Sequence, residues 1–374
     1  MALVQKYGIV KLQIIGMPPM VCTTNPDDIE VFLKSTLENP IRIGFACLKS
    51  VRLRAKDNYF NKNTGLLSEN GDEWWRLRSR VQVPLLRPKN VAMYLPAVDG
   101  ATNKFLDRID LLQAETGQVP SDFMQEIYKW ALECIGLVAL NRELGCLEPN
   151  ISPDALPAQL IRHINGIFSG FNGTEMNFPF WKYFRTPSYT KLETSHAAAL
   201  ELTAGAIREA QARLEEAKAL GDPNRQLTVV RIVADLYISI METLLNTEGL
   251  SRSDVATMII DMLFAGVDTT LAMSFNGVTS RMEEYFPQPL EFLPQRWQRD
   301  RPYGAIHPFA SLPFSHGTRI CIGKRLAEQE MYTIIIRMLQ KYTVTFESDE
   351  EMKVKTQLVL KPATQLAFKF HPRN

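Results

Sequence analysis

The sequence predicts a mainly α protein with a small β portion near its C-terminus, folded as one domain over residues 1–374. Apolar residues recur with a 3.6-residue period over long stretches, while alternation with period two is confined to short runs near the ends. Apolar residues make up 45% of the chain and charged residues 22%, a globular balance rather than a disordered one. No repeat, low-complexity tract or linker divides the chain. Lys and Arg total 42 against 41 Asp and Glu, a formal net charge of +1, so there is no basic field and no nucleic-acid partner is expected. Five cysteines form no CxxC pair, which disfavours a disulfide framework or a structural zinc site and points to a reducing compartment. No run of 18 apolar residues predicts a membrane span.

From the N-terminus, Val10, Leu12 and Ile14 alternate with polar or small neighbours until Gly16-Met17-Pro18-Pro19 breaks the run. That reads as a strand and a turn, and the chain is expected to start inside a folded domain, with no transit or signal pattern. Asn25-Pro26-Asp27-Asp28 supplies an N-cap and first-turn acids, so a short helix should run through Leu33. A polar turn, Ser68 to Asp72, precedes a helix beginning at Glu73. From Ser121 to Leu147, Phe123, Ile127, Trp130, Ala131, Cys134, Ile135 and Val138 keep the helical period and predict a long buried helix. Thr190 to Leu220 reads as a long exposed helix stopped by Gly221-Asp222-Pro223, and Thr228 to Leu245 as another. A helix from Ser251 to about Phe275 is apolar nearly all round and should run through the centre. Residues 285–317, rich in Pro, Gly and aromatics, are expected to be irregular. Residues 324–340 form a helix with Leu326, Met331, Ile334, Ile335 and Met338 on one stripe. In the tail, Leu358 and Leu360 stand before Pro362-Ala363, and Leu366, Phe368 and Phe370 after it, which predicts a terminal β-hairpin.

The window that carries chemistry is Phe314-Ser-His-Gly317-Thr-Arg319-Ile-Cys321-Ile-Gly323, leading straight into the last helix. A cysteine at a helix N-terminus lies near the positive end of the dipole and near N–H groups without partners, and both favour thiolate. Gly317 and Gly323 allow sharp turns and close backbone approach, and Arg319 adds a cation for an anionic group. A thiolate in a glycine-rich loop beside a large planar ligand is what haem iron requires. A lone cysteine at a helix start is more often a buried structural thiol.

Five fixed positions within ten residues decide between these readings, because the window resembles the haem loop of the cytochrome P450 family, FxxGxRxCxG, at every fixed position. Ala265-Gly266-Val267-Asp268-Thr269-Thr270 resembles the family's (A/G)GxDTT, and Trp74 with Arg78 its WxxxR. Phe292-Leu-Pro-Gln-Arg296-Trp297 resembles FxPERW, with Gln295 in the Glu position. The resemblance implies a P450 fold binding haem b through Cys321, with Phe314 shielding the sulfur. Trp74, Arg78 and Arg319 would hold the propionates, and Gly266, beside Ala265, would leave room for O2. Asp268 and Thr269 would relay protons. The implied activity is monooxygenation of an apolar, sterol-like substrate. Lys324-Arg325 looks like the basic pair of the mitochondrial, ferredoxin-dependent clan, which implies a ferredoxin partner, the matrix side of the inner membrane and peripheral membrane contact. The wording Glu73-Trp-Trp-Arg-Leu-Arg-Ser suggests the arthropod branch that hydroxylates ecdysteroids.

One departure stands out. Thr269 and Cys321 are 52 residues apart, and the family places at least twice that distance there. The block bearing the family's ExxR is expected to be missing, with an internal deletion near 275–285. The Glu73-xx-Arg76 pair belongs to the Trp74 helix and is not that motif. Without ExxR, Arg296 loses its family partners and is expected to swing to solvent. The alternative reading is therefore a haem-deficient, inactive fragment or splice form acting at most as a binding protein.

Overall fold

The computed structural model describes residues 2–13, 19–38, 40–56, 59–60, 63–117, 119–175, 177–219, 239–269, 279–347, 352–357 and 359–373. The chain divides into two units, Met1–Ile41 with Met273–Cys321, and Arg42–Ala272 with Ile322–Asn374.

In the first unit a short helix, α1 (Ala2–Tyr7), leads into an antiparallel pair, β1 (Ile9–Leu12) and β2 (Met20–Thr23), in register Ile9 to Thr23 and Leu12 to Met20. Ile14 and the Gly16–Pro18 turn lie outside the described residues. The Asn25 side chain accepts the Asp27 N–H at 2.8 Å and starts α2 (Pro26–Ser35), two residues longer than expected. From Thr279 onward this unit holds only single 3₁₀ turns among its described residues, at Thr279–Arg281, Pro294–Trp297 and Gly317–Arg319, as the Pro- and Gly-rich composition predicts.

The second unit is helical. Its elements are α3 (Ala46–Leu53), α4 (Gly71–Leu86), α5 (Pro88–Ala92), α6 (Leu95–Thr116), α7 (Phe123–Leu140), α8 (Leu156–Glu175), α9 (Pro187–Ala219), α10 (Ile240–Leu245), α11 (Arg252–Thr269) and α12 (Lys324–Lys341). α7 forms the core with Trp130, Ala131, Cys134 and Val138 fully buried, and α11 packs on it. α7 ends seven residues before the expected Leu147. Asn141 takes a left-handed φ of 51°, and the buried Glu133 carboxylate then accepts the N–H groups of Leu144 (3.0 Å) and Cys146 (2.7 Å), which fixes the loop beyond it.

α10 begins with a capping box in which Ser239 and Glu242 satisfy each other's backbone N–H. The rest of the expected Thr228–Leu245 helix, and the Gly221–Pro223 stop, lie outside the described residues. So does the end of the central helix beyond Thr269.

The terminal hairpin is corrected. β4 (Val354–Gln357) pairs with β5 (Val359–Pro362), while β6 (Phe368–Pro372) pairs with β3 (Tyr342–Phe346). Aromatic packing selects the second pairing: Phe370 meets Tyr342 at 5.5 Å and Phe123 at 5.4 Å, and Phe346 meets Phe368 at 5.3 Å.

Candidate functional site

In the first unit the cysteine loop closes on itself. The Cys321 N–H donates to the Phe314 carbonyl at 2.9 Å and the Ile320 N–H to that of Gly317 at 3.1 Å. Closing so tight a loop places Ser315 (φ 63°) and Gly317 (φ 77°) in the left-handed region, which glycine enters without steric cost. A Cβ at position 317 would also stand 2.7 Å from Leu37 Cδ2. Against the same stretch, the Thr318 hydroxyl donates to the Leu37 carbonyl at 3.0 Å and Arg319 Nε to that of Pro40 at 2.9 Å. This bond uses one of five guanidinium donors. The outcome is a pinned backbone with Phe314 half-buried and the Cys321 side chain exposed. Burial pushes the Cys47, Cys134 and Cys146 thiols up, which keeps them protonated; Cys22 is half-buried and Cys321 exposed.

Arg296 corrects an expectation. It neither swings to solvent nor stands unpaired. Half-buried, it donates to the carbonyls of Pro287 (2.8 and 3.1 Å), Glu291 (3.0 Å) and Gln288. The turn before Pro294 curls its carbonyls around the planar guanidinium, whose fork of donors matches them. Also in this unit, His307 Nε2 lies 3.4 Å from Asp27 and 3.5 Å from Glu30. The Phe309 N–H donates to His307 Nδ1 at 3.2 Å, while Nε2 faces the two carboxylates.

In the second unit, Trp74 and Arg78 lie four residues apart on one face of α4 and are both buried. An arginine buried to this degree is not a surface cation. Gly323 caps α12, its carbonyl accepting the Ala327 N–H at 2.9 Å. Lys324 and Arg325 follow, both within ion-pair reach of Glu328 (3.8 and 3.0 Å).

On α11, Ala265, Gly266, Asp268 and Thr269 occupy the last described turn and a half. A Cβ on Gly266 would meet Ile135 at 2.7 Å, so the glycine serves the close approach of α11 to α7, a role the expected space for O2 did not include. The Thr269 hydroxyl donates to the Ala265 carbonyl, which leaves its oxygen lone pairs as acceptors. Phe264 stacks on Phe168 at 4.5 Å. Thr270 lies outside the described residues.

Two polar networks on α11 escaped sequence reading. Asp261 pairs with the fully buried Arg52, which also donates to the Thr64 carbonyl (2.8 Å) and to His196 Nε2 (3.3 Å). Burial raises the Asp261 carboxyl. Burial, with Arg52 beside it, pushes His196 down to about 3, so that ring is neutral. The second network is Glu73–Arg76–Asp254. Arg76 bonds Glu73 at 2.7 Å and Asp254 at 2.8 Å and ties α4 to the start of α11, along a cleft of about 520 Å³ also lined by Asn63, Ser251 and Ser253. Burial alone would raise Asp254, but hydrogen bonds from Arg76 and Ser251 outweigh it and hold the carboxyl low. The visible signal was a lone acid inside Thr257-Met-Ile-Ile-Asp261-Met-Leu-Phe264, which must find a buried partner. Its identity, 209 residues away, has no local trace.

The sequence pattern of the family described as Cytochrome P450 matches residues 1–279 and 273–370. Among curated proteins, the chain is 27% identical to probable cytochrome P450 301a1, mitochondrial, of Drosophila melanogaster, a match taking in 91% of this chain and 75% of the relative. It is 28% identical to probable cytochrome P450 12a5, mitochondrial, of the same species, over 99% of this chain and 84% of the relative. Among solved structures, a retinoic-acid-bound cyanobacterial CYP120A1 superposes with a TM-score of 0.73 at 15% identity, covering 100% of this chain and 94% of that one. The fold is therefore the mainly helical one that the sequence predicts.

Proposed function

The chain belongs to the cytochrome P450 family and is a haem-dependent monooxygenase, and from that premise we propose that it hydroxylates an apolar, sterol-like substrate using electrons from a ferredoxin. Haem b, when bound, supplies cleavage of O2: one oxygen enters a substrate C–H bond as hydroxyl and the other leaves as water, with uptake of two electrons and two protons.

The donor set fits such a group. The chain offers one exposed thiol on a loop pinned by its own backbone bonds, and that observation carries the reading. Cys321 would supply the thiolate and Phe314 would cover its sulfur, with Gly317 and Gly323 setting the loop and the helix start behind it. Trp74, Arg78 and Arg319 would hold the haem carboxylates, through charge-assisted bonds. Ala265 would lie beside the O2 site, and Gly266 would do so only through its backbone, since its Cβ direction is taken by Ile135. Thr269, whose hydroxyl proton is engaged by the Ala265 carbonyl, would accept a hydrogen bond there, and Asp268 would relay the proton from solvent. Lys324 and Arg325 meet the acidic face of the ferredoxin; Glu328 moderates that charge without removing it.

Mitochondrial names among the relatives support a mitochondrial location. No helix among the described residues is long and apolar enough to cross a membrane. Peripheral contact is supported by an exposed aromatic loop: Phe178, Phe180 and Phe184 stack at 5.9 and 5.7 Å beside Tyr183, Lys182 and Arg185. The 1–374 chain acts as one P450-like domain with a shortened stretch near 275–285. The sterol class rests on the wording around Trp74.

The test is the spectrum of purified protein, reduced under carbon monoxide after growth with hemin. A strongly red-shifted Soret band that Cys321→Ala abolishes is expected. Colourless protein, or a band indifferent to Cys321→Ala, overturns the assignment. Turnover of a sterol panel with a reconstituted ferredoxin tests the substrate class.

A further inference from the structure

Asp27 and Glu30 stand three residues apart on one face of α2, and His307 meets both from the irregular stretch that leads to the cysteine loop. Its Nε2 lies 3.4 Å from Asp27 Oδ1 and 3.5 Å from Glu30 Oε2, and the three atoms all lie within 4.8 Å of one another. An N–H···O hydrogen bond would draw such atoms to about 2.7–3.2 Å, so the ring makes a normal bond to neither acid. The gaps have the size of something else. An ion held tetrahedrally by nitrogen and oxygen at about 2.0–2.2 Å sets its ligands about 3.3–3.6 Å apart. Lys34 bonds Glu30 through Oε1, and the other oxygen, Oε2, is the one that faces the ring. That lysine, with His307 and His316 nearby, outweighs burial and holds the Glu30 carboxyl below its ordinary range, which keeps it an anion. His307 is half-buried beside the buried Phe309 ring, 6.1 Å between centroids, while Asp27 is exposed, so the group is both positioned and open to solvent.

We propose that Asp27, Glu30 and His307 bind one divalent first-row transition ion, zinc above all, with water in the fourth place. One imidazole and two carboxylates suit zinc, cobalt or manganese, whereas magnesium and calcium prefer shells made of oxygen alone. Ligation through Nε2 moves the ring proton to Nδ1, which then gives up the Phe309 N–H that it accepts at 3.2 Å. One lost hydrogen bond lowers affinity by about tenfold. Against that cost, the ion neutralises two carboxylates held side by side. It would clamp the start of α2 to the chain at His307. Just beyond the other end of α2, the Leu37 and Pro40 carbonyls accept bonds from Thr318 and Arg319 of the cysteine loop. The ion therefore braces the irregular unit from which the Cys321 thiol projects, and small irregular folds commonly need such a staple. The cysteine spacing gave no sign of this site, because its ligands come from opposite ends of the chain. The proposal rests on neither haem nor substrate, so a colourless protein leaves it standing.

The test titrates the full chain, purified without a polyhistidine tag and stripped with a chelator, with zinc by calorimetry and with cobalt by visible absorption. One equivalent of zinc should bind at micromolar concentration and raise the thermal unfolding midpoint. His307→Ala should abolish both effects. Asp27→Asn, at an exposed position where the change disturbs no packing, should weaken zinc at least tenfold with far-ultraviolet circular dichroism unaltered. Should His307→Ala misfold, Asp27→Asn together with Glu30→Gln carries the decision, with loss of the equivalent expected. Bound cobalt should show visible bands without the near-ultraviolet charge-transfer band of a thiolate. Absence of uptake by the parent chain, or equal uptake by parent and variants, overturns the proposal. So does a thiolate band that Cys321→Ala removes together with the bound ion, because the cysteine would then be the ligand.

Discussion

Arg52, in the helical unit, is 2% exposed and draws its partners from far along the chain: Asp261 on the central helix, His196 on α9 and the Thr64 carbonyl. Arg296, in the unit of the cysteine loop, is half-buried and bonds carbonyls of its own turn, five to nine residues back. The first is a full charge matched by a full charge, and it ties its own helix to three other chain segments. The second is a charge matched by neutral dipoles, and it staples one turn. A long-range network fails as a unit when one member goes, because the remainder is a buried ion with no counter-charge. A local staple fails only where it sits.

The largest effect should come from breaking the long-range network. Asp261→Ala leaves Arg52 buried without its carboxylate, and urea unfolding should show a loss of roughly 3–5 kcal/mol. Replacing both residues, Arg52→Leu with Asp261→Leu, should recover most of that loss, since no ion is then stranded. A single-variant cost below about 1 kcal/mol, the range of an exposed pair, would mean that the network is not the buried unit described.

The next effect depends on pH. The unfolded chain takes up a proton at His196 near its ordinary pKa of 6.5, whereas the folded chain keeps the ring neutral down to about 3. Within that window the folded state binds fewer protons, so its stability is complete above 6.5 and is lost as pH falls, by about 1.4 kcal/mol per unit. Asp261, raised by burial, works in the opposite direction, so the full pH curve mixes the two. His196→Gln keeps an acceptor for Arg52 Nε and removes the titration. Denaturation midpoints from pH 6.5 to 4 should therefore fall less steeply in this variant. Parallel curves for variant and parent would show that the ring is protonated in the folded state.

The two regions also differ in how far the sequence disclosed them. Local chemistry was readable: the Asn25 cap, the irregular 285–317 stretch and the cysteine window all follow from neighbouring residues. Partners set by tertiary packing were not. Leu95–Thr116 starts with Pro96 and carries Gly100, and Leu156–Glu175 carries Gly166, Gly170 and Gly173, so neither shows a strong helical pattern. Yet a Cβ at Gly170 would stand 2.6 Å from the Leu192 backbone, so the residue that weakens the pattern is the one that lets α8 and α9 meet. The same limit applies to β6, whose partner is chosen by aromatic rings rather than by the nearest turn. It applies again to Arg296, whose partners could not be inferred from the family motif it resembles once that motif's usual companions were missing.

Arg296 gives the smallest effect and the sharpest discrimination. Arg296→Ala removes bonds to three carbonyls that remain near solvent, so global stability should fall by only about 1 kcal/mol. Hydrogen exchange should nonetheless accelerate across 287–297 and stay unchanged in α7 and α11, because a staple protects the turn it closes. Arg296→Lys separates charge from shape. An ammonium presents three donors from one point and cannot reach carbonyls spread around a planar fork. Lysine should therefore exchange as fast as alanine in that turn. If lysine restores protection, the charge alone suffices, and the contrast with Arg52 reduces to burial. If Arg296→Ala instead costs as much as Asp261→Ala, the turn is not local at all, and the cysteine loop depends on this arginine as heavily as the helical unit depends on Arg52.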